Sequence, residues 1–355
     1  MKTKATVAAA TAIATLAFTF TAGLATAEAQ TPTRWRMHTA YNKALPVAGQ
    51  TAFQLAESVK EMSDGKFDIR VFEPGAIVAG AQYYDAVSKG AVNAAYGSPG
   101  FNAGKNSAYS FFAAIPFGPG AGEMLAWMYK GGGLELAREF YAKDNIYMMP
   151  CGILPPESAG WFRKEITSLD DLKGIKMRFL GLGAKVMERF GVSTQLMAPG
   201  EVYQALELGT LDAAEQSVPA IDRGLGFYRV AKFNYFPGWH QQSTIQELLV
   251  NLDSWNKLSG GQRRMVEAAC HEATVMQLAD GEAGQAAIIK QNEADGVKTM
   301  TWPDEFLAAF RKEWENVIAE ETKANPDSKR VWDSLQAFRA EYAVWGERGY
   351  LKPGQ

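Results

Sequence analysis

Tyr84-Asp-Ala-Val-Ser-Lys-Gly-Ala-Val-Asn-Ala-Ala-Tyr96 and Tyr203-Gln-Ala-Leu-Glu-Leu-Gly-Thr-Leu-Asp-Ala-Ala-Glu215 are two versions of one pattern, 119 positions apart. Five of the thirteen positions are identical, and the Val/Leu and Asn/Asp exchanges match in kind. Each reads as a short helix, a glycine suited to the left-handed turn at a helix end, and a strand of small residues. The strands end on residues able to reach a ligand, Tyr96 in one copy and Glu215 in the other. Two like α/β units with facing strand ends describe a two-lobed clamp.

The flanking segments extend this reading. Trp35-Arg-Met37 alternates as a strand, and Ala48, Ala52, Leu55, Val59 and Met62 recur at helical spacing as one buried face. Ser63-Asp-Gly65 stops that helix, and Phe67, Ile69 and Val71 alternate as the next strand. Strand, helix and strand with short joints form a βαβ unit, which demands a parallel pair. The second half starts similarly, with a capped turn at Ser168–Gly174 and a strand at Ile175–Phe179. A helix follows over 184–190, Gly191 breaks it, and Pro199-Gly-Glu201 opens the helix of the second copy. Leu248–Asn251 is a further strand, suited to crossing between lobes. Two C-terminal helices carry apolar stripes, Phe306 to Ile318 and Val331 to Trp345. Such stripes serve the chain's own core or present a docking face to a second copy, giving a homodimer.

The N-terminus reads as a secretory signal over residues 1–29. Lys2 and Lys4 precede the uncharged run Ala5–Ala22, and small-x-small sites follow at Ala25-Thr-Ala27 and Ala27-Glu-Ala29. The run is rich in Thr and Ala and a polar stretch follows at once, which favours cleavage over a membrane anchor. The mature chain is then expected to be exported. At 355 residues, the sequence exceeds one comfortable core. A formal net charge of −3 offers nothing to a nucleic-acid backbone or an anionic membrane. Cys151 and Cys270 are the only cysteines. An oxidising compartment permits their pairing, while the apolar segment Tyr147–Cys151 suits a buried, unbridged Cys151.

With these motifs in order, the chain resembles the extracytoplasmic solute receptors of tripartite ATP-independent periplasmic (TRAP) transporters. The resemblance rests on Glu73-Pro-Gly75, the two duplicated units, Gly160–Ile166, Leu172–Arg178 and Gly209–Glu215. Gly226-Phe-Tyr228 and Phe236-Pro-Gly-Trp239 point toward the branch that includes receptors for 2-oxo acids and lactate. The resemblance implies an α/β clamp of the type II-like periplasmic-binding-protein kind, with crossing strands and C-terminal helices. It also implies one enclosed organic acid and delivery to integral membrane subunits. The expected partition puts residues 30–152 and about 217–252 in lobe I. Residues 153–216 and about 253–300 form lobe II, and 301–355 form the C-terminal helices.

Arg178 ends a predicted strand, where open α/β sheets bind ligands, and a guanidinium matches a carboxylate with parallel hydrogen bonds. In the family, the Arg of this Lys-Met-Arg motif holds the substrate carboxylate. The 2-oxo-acid branch bridges substrate to protein through a cation held by a Gln, a Glu and the following residue. Glu215 and Gln216 match the last two, while Glu157 stands where the family has Gln. Two carboxylates with carbonyl oxygens suit Ca²⁺ over Na⁺. Without a metal, Glu157 accepts a bond from the ligand or shares a proton with Glu215. Trp239, His240 and Gln241 follow the turn at Pro237-Gly238 and are expected to line the cleft. Trp supplies an apolar wall, and His and Gln bond polar ligand groups. His240 has no Cys or His at zinc-ligand spacing, the other histidines being His38 and His271. Tyr96, as the counterpart of Glu215, should point into the cleft, with Tyr41 and Asn42 after the first strand. Two other readings remain: a receptor for an aromatic or other carboxylate without metal, and a secreted hydrolase using Glu157 and Glu215. No Gly-x-Ser-x-Gly elbow supports the latter.

Overall fold

A computed structural model describes residues 32–351, so the expected signal segment lies outside the described residues. The first sheet contains β1 (Thr33–Thr39), β2 (Phe67–Phe72), β3 (Ala94–Gly97), β4 (Ile146–Leu154) and, later in the chain, β10 (Thr244–Asn251). Its order is β2-β1-β3-β10-β4. The second contains β5 (Gly160–Phe162), β6 (Lys176–Arg178), β7 (Ser193–Gln195), β8 (Ala213–Ala214), β9 (Phe233–Phe236) and β11 (Lys298–Thr301), ordered β11-β9-β5-β8-β6-β7. Each sheet anchors one lobe of an α/β clamp.

The opening βαβ unit forms as its periodicity predicts. β1 and β2 are parallel, Trp35 opposite Ile69. The intervening helix Ala48–Met62 buries Ala48, Ala52, Leu55 and Val59. Met62, expected on that face, is 43% exposed because the helix ends there. The duplicated units also correspond. Helices Tyr84–Ser88 and Pro199–Glu207 are followed by Gly90 and Gly209, both at φ 72°, and then by β3 and β8. That left-handed backbone is why glycine recurs in both copies.

The crossings lie side by side. β4 leaves the first sheet at Leu154, and β10 re-enters it at Thr244, paired with Leu154. The expected partition shifts in two places. β9, inside the segment 217–252 placed with lobe I, pairs with β5 in the second sheet. Helix Gly260–Ala283, placed with lobe II, packs on β4 and on helix Ala48–Met62. The C-terminal helices divide their contacts: Asp304–Ala324 packs on Leu182–Arg189, and Pro326–Gly349 packs on the first lobe's Ser107–Phe112 turn. Phe306, Phe310, Trp314, Val317 and Ile318 are buried as their stripe predicts. The second stripe runs out of the core, leaving Trp345 59% exposed.

Cys151 is buried, but it is not free: it is bonded to Cys270 at 2.14 Å, fastening helix Gly260–Ala283 to β4. The bridge closes a loop 119 residues long. On the chain-entropy account such a crosslink contributes about 5 kcal/mol by restricting the unfolded chain. The double replacement Cys151→Ser, Cys270→Ser should therefore lower the urea midpoint markedly, and reductant should not shift the variant further. An unchanged midpoint would remove the bridge from the stability of this lobe.

Candidate ligand and cation site

β6 and β8 are parallel neighbours, and the Glu215 N–H donates to the Arg178 carbonyl at 2.9 Å. Arg178 and Glu215 therefore stand side by side at the carboxyl end of the second sheet. Arg178 Nη1 donates to Glu215 Oε2 at 2.9 Å and to its carbonyl oxygen at 2.5 Å. The Leu180 N–H adds a bond to Oε2 at 3.0 Å. Both side chains are essentially inaccessible, at 1% and 0% exposure. Nε reaches only the Met197 carbonyl, at 3.4 Å, and Nη2 has no partner among the described residues. One arm of the guanidinium thus holds Glu215, and the other makes no hydrogen bond to the described residues.

Glu157 arrives from the loop after β4. Gly238 N–H donates to the Glu157 carbonyl at 3.0 Å, and a Cβ at Gly238 would stand 2.3 Å from that oxygen. Only glycine allows this approach, which brings residues 239–241 beside 157–158. Glu157 Oε1 accepts from Ser217 Oγ at 3.0 Å, while Oε2 has no partner. Glu215 Oε1, Gln216 Oε1, Gln241 Oε1 and Thr244 Oγ1 are likewise buried and unpartnered. His240 Nε2 lies 3.2 Å from Glu215 Oε1 without hydrogen-bond alignment. Donor atoms of Glu157, Glu215 and His240 all fall within 4.8 Å of one another. His240, which lacks zinc partners in the sequence, is brought by the fold to two carboxylates.

Arg178, Glu157, Gln216 and Gln241 line one cavity of about 30 Å³ with Tyr41. Five other predicted residues do not line it; two of these, Glu215 and His240, still bring donor atoms within 4.8 Å of Glu157. Trp239 packs in the aromatic core, stacked on Phe310 at 4.7 Å. Tyr96 is buried in the first lobe, its hydroxyl accepting from Gln277 Nε2 at 2.9 Å. Asn42 is exposed, in a crevice nearer the rim. Sequence reading missed Ser217, Thr244, Gln246 and the buried Asp222. Their signal is polarity within apolar context, as in Thr244-Ile-Gln-Glu-Leu-Leu-Val250, where every residue is buried.

The electrostatics are unbalanced. Arg178 is the one Lys or Arg lining the cavity, against buried Glu157, Glu215 and Asp222. Burial pushes Glu215 up, but the Arg178 charge, His240 and the Leu180 N–H outweigh it and hold the carboxyl below its usual value. Burial, then the charges of Glu215 and Asp222, drive Glu157 well up. Burial also raises Asp222, against the opposing bond from Trp161 Nε1 at 2.7 Å. Unpartnered oxygens beside two carboxylates are the donor set of a hard cation, so the residues present fit Ca²⁺ or Na⁺.

The model of bacterial extracellular solute-binding protein, family 7, matches residues 38–324. The chain belongs to that family. It is a solute receptor of the TRAP type, as its motifs imply. It is 36% identical over 314 residues to the monocarboxylate 2-oxoacid-binding periplasmic protein of Nostoc sp., covering 88% of this chain and 85% of that one. A TRAP transporter solute-binding protein from Bordetella bronchiseptica, a dimer with copurified calcium and picolinate, matches with TM-score 0.86 and 37% identity over 89% of this chain and 94% of the other. One from Pseudoalteromonas atlantica, with sodium and pyruvate, matches with TM-score 0.85 and 29% identity over 89% and 96%. These relatives are binding proteins. Among the described residues, no helix is long and apolar enough to cross a membrane.

Behind the cavity, next to Gln246, Glu247 is fully buried and accepts from Tyr83 Oη at 3.0 Å, Asn102 Nδ2 at 2.8 Å and Tyr141 Oη at 2.5 Å. Burial outweighs these donors and pushes the carboxyl up to about 8. The native state therefore keeps a proton that the unfolded chain loses near pH 4.3, so stability falls as pH rises between about 4.3 and 8. One such group contributes roughly 1.4 kcal/mol per pH unit in that window. Glu247→Gln should flatten the stability–pH profile by one proton, measured by urea denaturation from pH 5 to 8. Parallel profiles would show that Glu247 titrates alike in both states.

Proposed function

We propose that the chain is a periplasmic receptor that captures a small 2-oxo or 2-hydroxy monocarboxylate together with a cation. The observation that carries this reading is that Arg178, which bonds to its neighbours through Nε and Nη1 alone, shares one cavity with the unpartnered buried oxygens of Glu157, Gln216, Gln241 and Thr244. Arg178 binds the ligand carboxylate, and Gln241, Thr244 and Ser217 offer further polar contacts. Glu157, Glu215 and Gln216 hold the cation, which supplies positive charge to the ligand's second oxygen and to an acid-rich site. Glu157, an acid where the family carries Gln, favours Ca²⁺ over Na⁺. The loaded receptor then passes its acid to the membrane subunits of a TRAP transporter. Being a receptor, it consumes nothing.

The exposed end of the last helix, with Val344 and Trp345 each 59% exposed, serves as the contact for a second copy. Light scattering should find a dimer that Trp345→Glu converts to monomer, and a wild-type monomer would remove this contact.

Titration calorimetry tests the site itself. Protein freed of metal by chelator should bind CaCl₂ more tightly than NaCl, and pyruvate more tightly with calcium present. Arg178→Lys keeps the charge beside Glu215 but loses the second arm. Charge-assisted bonds contribute about 1.5–3 kcal/mol, so pyruvate affinity should fall roughly ten- to hundredfold without loss of fold. Unchanged affinity would dismiss Arg178 as the anion ligand, and turnover of the acid would dismiss the receptor reading.

A further inference from the structure

The cavity at Arg178 has a larger neighbour, and the two share Tyr41 and Leu45 as common walls. The cavity at Arg178 amounts to about 30 Å³, against ~10–15 Å³ for one water molecule. A crevice of about 270 Å³ lies beside it, and Tyr41 and Leu45 line both spaces. The crevice takes its other walls from both lobes, Pro74 and Gly80 from one, Pro199, Gly200 and Leu225 from the other. Its lining is chiefly aliphatic side chain and backbone, with Glu201 the sole charged residue. Chemically it suits an alkyl tail, not a second polar group.

The two shared residues differ in how they are held. Tyr41 Oη donates to Gln246 Oε1 at 2.6 Å, and its ring meets Tyr96 at 6.1 Å. Leu45 is fixed through its backbone: its N–H donates to the Asn42 carbonyl and its carbonyl accepts from the Gly49 N–H, both at 3.0 Å. Gly49 is required there, since a Cβ would stand 2.2 Å from the Asn42 oxygen. The Leu45 side chain is therefore a plug on a turn that does not depend on it.

We infer that Leu45 sets the chain length of the acid this receptor accepts. This rests on the reading of the site as a 2-oxo or 2-hydroxy acid receptor. A ligand with its carboxylate on Arg178 is confined to a short chain by Leu45. With Leu45 shortened, the crevice becomes the subsite for the aliphatic tail of a longer acid.

The test is calorimetry with pyruvate, 2-oxobutyrate, 2-oxohexanoate and 2-oxooctanoate, with calcium present. The wild type should bind pyruvate or 2-oxobutyrate best and lose affinity along the series. Leu45→Ala should leave pyruvate affinity within about threefold and raise that of 2-oxohexanoate by about fourfold per methylene admitted. Leu45→Met, which conserves volume, should keep the wild-type profile, and Leu45→Val should shift it in the same direction as Ala if the alanine variant folds poorly. A Leu45→Ala or Leu45→Val profile parallel to wild type would overturn the assignment, as would tight wild-type binding of 2-oxooctanoate. Failure of the wild type to bind any of the four acids would instead overturn the underlying reading of the site.

Discussion

The buried pair Arg178–Glu215 is the interaction on which the clamp's interior depends. Taking two charges out of water costs several kcal/mol per ion, and mutual attraction offsets this only with good geometry and satisfied hydrogen bonds. Part of that set is present, from the Leu180 N–H and to the Glu215 and Met197 carbonyls, while Glu215 Oε1 is left without a donor. Removing one partner of such a pair costs about 3–5 kcal/mol, far above the ~0–1 kcal/mol of surface pairs such as Lys173–Asp170. The same geometry fixes the ends of β6 and β8, and Nη2 makes no hydrogen bond to the described residues.

Much of this was legible in the sequence because it is local. The βαβ periodicity, the stop at Asp64-Gly65 and the paired glycines at 90 and 209 are backbone requirements that no distant residue can alter. Arg178 was read from its strand end and Gln241 from the turn before it, whereas Glu157 and Gln216 came only from the family resemblance; all four line one cavity. Tyr96 failed for a local reason the duplication concealed. It lies inside β3, paired with Leu248, so its side chain is committed to one sheet face, whereas Glu215 follows the end of β8. Trp239 failed for a non-local one: its stacking partner Phe310 belongs to a helix far along the chain. The bridge between Cys151 and Cys270 was equally hidden, since it depends on where helix Gly260–Ala283 docks.

The lobes are joined at few points. Residues 155–159 and 237–243 carry the chain between sheets, the stretch from β10 to β11 carries it back a third time, and Asn325 joins the two long C-terminal helices. That joint is fastened to the first lobe, with Asn325 Nδ2 donating to Asn106 Oδ1 and Ser107 Oγ at 2.8 Å each. Lys185 and Arg189 of the second lobe pair with Glu321 and Glu320 on the helix before it. The first crossing contains Glu157 and the second contains Gln241, both of which line the cavity. Ligand-facing groups therefore sit on the very segments that set the relation of the lobes, so a captured anion and cation would bond to both crossings at once.

The unpartnered oxygens explain why the cavity can be specific despite its size. A buried acceptor without a donor costs about 1–3 kcal/mol, and Glu157, Gln216, Gln241 and Thr244 each carry one. No folding advantage follows from keeping them, and an apolar lining would give a more stable protein. Their cost is offset only when a ligand supplies what they lack, which is positive charge and hydrogen-bond donors. A neutral apolar molecule of the same volume would leave every one of them unsatisfied, and an anion without a cation would satisfy Arg178 and the Thr244 hydroxyl but not the carboxylate and amide oxygens. Selectivity in this site accordingly comes less from contacts made to the right ligand than from bonds every wrong one leaves unmade.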